Sequence, residues 1–271
     1  MIARTLCALA AFCLLTGCNL RGPAPALPNN YSLVREQLVI YSDFRLPERH
    51  RLVDELVALR GDLAVKLKLP MSDEPIYVYV FEGPGPFQDY MQRKLPHIPQ
   101  RRALFVESDT SLTVFTHWGE QIAEDLRHEV THGYLHSVVR NVPLWLDEGI
   151  AEYFEVPRGR SGLNQPHVDL LQSLHERDEW KPDLRRLERF QHISEMTQLD
   201  YAESWLWVHL LLETTPQRRD FVSKYLAQLR ATGTAARLSV KWPSRESTSL
   251  GKQRELEAAA TEHLKSLAVR K

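Results

Sequence analysis

The sequence predicts an α+β fold: a small N-terminal α/β sheet region packed on a mainly helical C-terminal half. Three observations carry this. Between Tyr31 and His117 the apolar residues fall in short β-branched and aromatic runs, interrupted by stretches of helical spacing. From Trp118 onward the spacing turns helical and stays so. The chain has 271 residues, 43% hydrophobic and 25% charged, which is a globular composition long enough to bury a core.

The elements follow in order. "MIARTLCALAAFCLLTGC" has one positive residue, Arg4, then an apolar run from Leu6 to Leu15 that is too short to span a bilayer. Its end, Leu15-Thr16-Gly17-Cys18, resembles a bacterial lipobox, which implies a signal peptide over 1–17 and lipid on Cys18. Asn19 after it implies, by resemblance to Gram-negative lipoproteins, the outer membrane. Residues 18–30 are Pro-rich and polar, and read as a tether. "YSLVREQLVIYSDF" (31–44) reads as one or two strands. Residues 47–69 carry Leu52, Leu56, Leu59 and Leu63 at helical spacing behind Pro47. Residues 74–83 form a strand closed by Gly-Pro-Gly-Pro, and 86–95 a short helix. "RRALFVES" and "SLTVFTH" are two further strands joined by Asp109-Thr110. Helices are predicted at 119–139, 143–155, 166–178, 197–213, 216–230 and 250–268, with a loop over 231–248. The main domain therefore runs over 31–230, followed by a loop and C-terminal helix over 231–271.

Charge and cysteine usage narrow the chemistry. A net charge of −1 gives no electrostatic footprint for nucleic acid, and Arg101-Arg102 and Arg185-Arg186 read as solvated faces. Of the three cysteines, Cys7 and Cys13 lie in the leader and Cys18 carries the lipid. The mature domain then has neither a disulfide nor a Cys ligand, so a metal would be held by His, Asp or Glu.

"RHEVTHGYLH" (127–136) places His128 and His132 one helical turn apart on the same face, where two imidazoles can converge on one cation. Glu129 is turned about 100° away, which suits a flanking base rather than a third ligand in that row. This is the H-E-x-x-H pattern. Glu148, in the apolar stretch "PLWLDEGIAEYFE" (143–155), can be brought to the same cation by a second helix. Glu152, one turn further, would then reach a ligand imidazole and fix its tautomer. Two His, one Glu and an open position make a catalytic rather than a closed structural site.

"HEVTH" followed by "WLDEGIAEYFE" resembles the gluzincin metallopeptidases, most closely the small bacterial peptidase-MA-like domains. The resemblance covers roughly 111–213. It implies a zincin-like fold with the metal at the junction of sheet and helices, and one Zn2+ per chain on His128, His132 and Glu148. It also implies Glu129 as the catalytic base and Glu152 behind the ligands. "DYAESWLWVHLLLE" (200–213) resembles the helix that follows in this clan, which makes Tyr201 the donor to the oxyanion; the alternative is a packing residue. By the same resemblance the strand 111–117 is a sheet edge that pairs with an extended peptide or unfolded protein substrate. Leu135 and Val138 stand where metzincins have Gly and a third His, and no Gly-x-Met-Glu-Asn segment is present, which favours an endopeptidase over an aminopeptidase. His117 and His136 read as ordinary polar residues, with His117 the one that could line a cleft, and Trp205, Trp207, Leu210 and Leu211 as core. The expectation is a periplasm-facing, lipid-anchored zinc peptidase. The alternative is a catalytically silent, zinc-containing assembly lipoprotein.

Overall fold

The computed structural model describes residues 26–268; the leader, Cys18 and most of the tether lie outside them. Five strands form one sheet: β1 (Tyr31–Arg35), β2 (Leu38–Ser42), β3 (Ile76–Phe81), β4 (Ala103–Glu107) and β5 (Leu112–His117). The spatial order is β1-β2-β3-β5-β4. The inner three strands run parallel, and β1 and β4 are antiparallel additions at the two edges. The expectation that residues 111–117 form an edge is therefore corrected. β5 lies between β3 and β4, because the β4–β5 hairpin folds β4 onto its outer side, and the edge nearest the H-E-x-x-H helix is β4.

Period-two alternation explains why both faces of the sheet are covered. Ile76, Val78 and Val80 of β3, with Leu112 and Val114 of β5, point into the main core. There they meet α1 (Arg51–Leu67), whose Leu52, Leu56, Leu59 and Leu63 form the stripe seen in the sequence, and α3 (Ile122–His136). Phe81 and Phe115 point the other way and pack with Phe87 and Met91 of α2 (Pro84–Lys94).

The helical half continues with α4 (Leu144–Phe154), α5 (Gln165–Glu176), the short α6 (Leu184–Leu187), α7 (Gln198–Glu213), α8 (Pro216–Thr232), the short α9 (Leu238–Lys241) and α10 (Ser249–Ala268). The sequence reading has neither α6 nor α9, which are single turns. α7 is buried from Ala202 to Leu212 on every side, so it is the central helix of this half. Its start is fixed by a capping box in which Asp200 accepts from the Thr197 backbone and hydroxyl, both at 2.7 Å. Leu256, Ala260 and Leu264 of α10 belong to the same core as the domain before residue 230. Among the described residues no helix is long and apolar enough to cross a membrane.

α4 is buried from Trp145 to Phe154, acids included. It lies so close to α7 that a Cβ on Gly149 would sit 2.5 Å from the Ser204 carbonyl oxygen. Gly149 thus permits a helix contact no other residue allows, and that contact sets the depth of its neighbour Glu148.

Candidate metal centre

α3 and α4 bring the ligand candidates together from the two sides of one cleft. The His128 and His132 Nε2 atoms lie 3.3 Å apart. The Glu148 Oε2 lies 3.5 Å from the first and 3.8 Å from the second. Four ligands at ~2.0–2.1 Å around a tetrahedral ion stand about 3.3–3.4 Å from one another. Three donor atoms therefore already occupy close to one face of such a tetrahedron, and the residues fit the group.

The other ring nitrogens explain the arrangement. His128 Nδ1 donates to Glu155 Oε2 at 2.9 Å, and His132 Nδ1 donates to Asp147 Oδ1 at 2.9 Å. With the proton held on Nδ1 by a carboxylate, a neutral imidazole turns its Nε2 lone pair into the cleft, as a metal ligand must. Each brace is itself braced. Asn164 donates to the second Glu155 oxygen at 2.9 Å, and His136 Nε2 donates to the second Asp147 oxygen at 2.9 Å. Arg127, buried behind α3, donates to the Glu155 backbone carbonyl and pairs with Glu55. Phe105 of β4 lies flat against the His132 ring, at 5.8 Å and 21°.

Two expectations change here. Glu152 hydrogen-bonds no ligand imidazole; its Oε2 accepts from His167 Nε2 of α5 at 2.6 Å. The bracing expected of it belongs to Glu155 and Asp147. His136, read as an ordinary polar residue, is half-buried and joins Asp147 to Glu107 at the end of β4, 2.6 Å from its Nδ1. The groups His132–His136–Asp147 and His128–Glu152–Glu155 also have the composition of a metal site. In each, however, a carboxylate oxygen already accepts an imidazole N–H, and each shares a histidine with the first triad.

Electrostatics follow burial and pairing. Burial opposes protonation of His128, but hydrogen bonds to Glu148 and Glu155 outweigh it and raise the imidazole well above its ordinary value in the metal-free chain. Burial likewise opposes protonation of His136, yet Asp147 and Glu107 push it up to about 10. Asp147, for which burial acts in the opposite sense, is held far below the usual carboxylate range by His132 and His136. Glu129, buried in the cleft, is raised, first by burial, with His128 and His132 opposing.

The cleft has a volume of ≈ 310 Å³ and is lined by His128, Glu129, Glu148, Arg101 and Tyr201 among others. Tyr201, in the first turn of α7, lines the same cleft as His128 and Glu148; burial and then Glu148 push its phenol up to about 12. A second pocket of ≈ 180 Å³ adjoins it on the β4 side, with Leu104, Phe105 and Leu144 in its wall. His117 lies apart from both, bonded to the Trp118 carbonyl and packed on Phe87. Of the two basic pairs, only part is solvated surface. Arg102 binds Asp125 and Glu124, Arg186 binds Asp200 and Glu203, and Arg101 lines the cleft.

The fold and the site define an α+β chain with a buried His-His-Glu donor set, each imidazole oriented by its own carboxylate. No family model matches the chain, and no curated protein matches it either.

Proposed function

We propose that this chain is a zinc-dependent peptidase of the bacterial cell envelope, acting as an endopeptidase on extended peptide or unfolded protein substrates. The observation that supports this best is the 3.3, 3.5 and 3.8 Å triangle of His128, His132 and Glu148 donor atoms with both Nδ1 atoms tied to carboxylates. Two nitrogens and one oxygen at tetrahedral spacing suit zinc and leave a position open. When bound there, the metal supplies Lewis-acid polarisation of a carbonyl and acidifies a water.

The chain's own residues do the rest. Glu129 lines the cleft beside the donors without being one of them. Its raised pKa suits a base that takes a proton from the attacking water and returns it to the leaving nitrogen. Tyr201 faces the same space with a protonated phenol and donates to the carbonyl oxygen as charge develops there. β4 ends the sheet along the cleft, and its free edge suits an extended backbone added as a further strand. The anchor, an acyl chain on Cys18 with the domain in the periplasm, is part of the same proposal and rests on the leader alone.

The test is Glu129→Gln. It should keep fold and zinc while lowering peptide hydrolysis by ~10²–10⁴, read by mass spectrometry on an unfolded-protein library. Hydrolysis equal to wild type would refute the role of Glu129. If neither form cleaves and Glu129→Gln still complements a deletion strain, the chain is instead a silent zinc-containing assembly module. Labelling with a fatty-acid analogue should mark the wild type and miss Cys18→Ser.

A further inference from the structure

The cleft is lined by two arginines, Arg101 and Arg102, that the reading above does not use. Arg101 precedes β4, at a point where the backbone is pinned: Ala103 pairs with Thr116 of β5, and the Arg102 carbonyl accepts from the Thr116 hydroxyl at 3.5 Å. The two neighbouring arginines have different fates. Arg102 is consumed by Gln121, Glu124 and Asp125 at the N-terminal end of α3. Arg101 lines both this cleft and the adjoining pocket on the β4 side; the two also share His128, Glu129 and Glu148. Among the described residues no carboxylate forms an ion pair with it, although Glu129 feels its charge. Arg101 lines the same cleft as Tyr201, and its charge acts against the rise that burial and Glu148 impose on that phenol.

That placement is informative. A guanidinium has five N–H donors in a fixed fork, and among the described residues no ion pair ties those of Arg101 to a carboxylate. Had Arg101 served only to neutralise the acidic wall, a paired geometry like that of Arg102 would be expected. We propose that Arg101 is a second oxyanion donor, a catalytic residue that acts with Tyr201 on the carbonyl oxygen of the scissile bond.

The inference rests on the peptidase reading. In that reaction water oxygen adds to the carbonyl carbon, and its proton passes by way of Glu129 to the amide nitrogen. The C–N bond then breaks, leaving a carboxylate and an amine. Between addition and cleavage the negative charge resides on the former carbonyl oxygen. A fixed positive donor beside that oxygen is worth more to the tetrahedral species than to the neutral amide before it.

The experiment uses the zinc-loaded protein with a pair of ligands of one sequence, a phosphinic peptide carrying a tetrahedral anion and the parent amide peptide. Amide affinity is measured in the Glu129→Gln background so that it is not consumed. Arg101→Ala should weaken the phosphinic peptide by ~10²–10³, the size of one lost oxyanion donor. Amide affinity and zinc affinity should stay within a few-fold, and kcat should fall with KM little changed. Arg101→Lys, which keeps charge but not the fork, should recover part of the loss and provides a second variant if the alanine form folds poorly. Equal phosphinic affinity in wild type and Arg101→Ala overturns the inference alone. So does a parallel loss of amide or zinc affinity, which would make Arg101 a ground-state or structural group. A wild type that binds zinc but no phosphinic peptide overturns the peptidase reading together with the inference.

Discussion

Asp147 offers the sharpest test of how the candidate metal centre is held. Its Oδ1 accepts from His132 Nδ1 and its Oδ2 from His136 Nε2, each at 2.9 Å, and the residue is buried. Asp147→Ala removes the group that fixes the His132 tautomer and leaves two imidazole N–H groups without their acceptor. Loss of such a partner typically costs ~10–100-fold in metal affinity, or ~1.4–2.8 kcal/mol at 1.4 kcal/mol per tenfold. Asp147→Asn should cost less. His136 can keep its Nδ1 proton on Glu107 and accept from the new amide through Nε2, while the amide oxygen still takes His132 Nδ1–H. Glu152→Gln is the control. Its partner is His167, which a glutamine oxygen satisfies equally well, so zinc affinity should stay within about threefold of wild type. The assay is zinc titration of the purified proteins against a competing chelator at fixed pH, with thermal melts to show that each variant folds. The order expected is wild type and Glu152→Gln tightest, then Asp147→Asn, then Asp147→Ala. A tenfold loss in Glu152→Gln with none in Asp147→Ala would refute the assignment of the braces.

Two further outcomes follow from the same geometry. Gly149→Ala places a methyl 2.5 Å from the Ser204 carbonyl oxygen and 2.8 Å from Val208 Cγ2, so α4 must withdraw from α7. Such overpacking should cost about 1–3 kcal/mol in urea unfolding and weaken zinc by moving Glu148; unchanged stability would mean the two helices are not held at this distance. The metal-free protein should lose stability as pH rises. His128, His132 and His136 are all raised above their ordinary 6.5, so what they contribute is fully present below that value and lost as pH climbs through the folded ones, about 10 for His136. Zinc requires neutral imidazoles, so the gain in Tm on adding it should grow over the same range. A Tm of the chelated protein that rises from pH 6.5 to 9 would contradict this.

Much of the fold was legible because each element carries its own period. The leucines of α1, the alternation in β3 and the uniform apolarity of α7 state their environments locally. The order of strands does not. Residues 112–117 read equally well as an edge or an inner strand, because an inner strand of a five-stranded sheet and an edge strand can share one alternation. Only the return of β4 onto its outer side decides, and that depends on the hairpin around Asp109-Thr110 folding outward rather than back over β3. The sheet's second covered face has the same origin. Phe81 and Phe115 name no partner until α2 crosses beneath them.

At the site, spacing was enough to place His128 and His132 side by side, because their pairing depends only on the helix that bears them. The braces depend on where other helices go. Glu152 lies one turn beyond Glu148, so helical spacing directs it toward the ligands. The arrival of α5 then presents His167 at 2.6 Å and claims it. Glu155 closes α4 at its C-cap, where its side chain is free to turn back and Asn164 holds one oxygen, so it reaches His128 from the place where regular spacing ends. Arg101 is a stronger case of the same dependence. Two adjacent arginines before a strand are indistinguishable by composition. Both line the cleft, but Gln121, Glu124 and Asp125 at the start of α3 capture Arg102, while Arg101 has no ion pair among the described residues. Two of the three donor candidates are therefore written in one helix, whereas Glu148 and the carboxylates that orient the imidazoles arrive by contacts between elements.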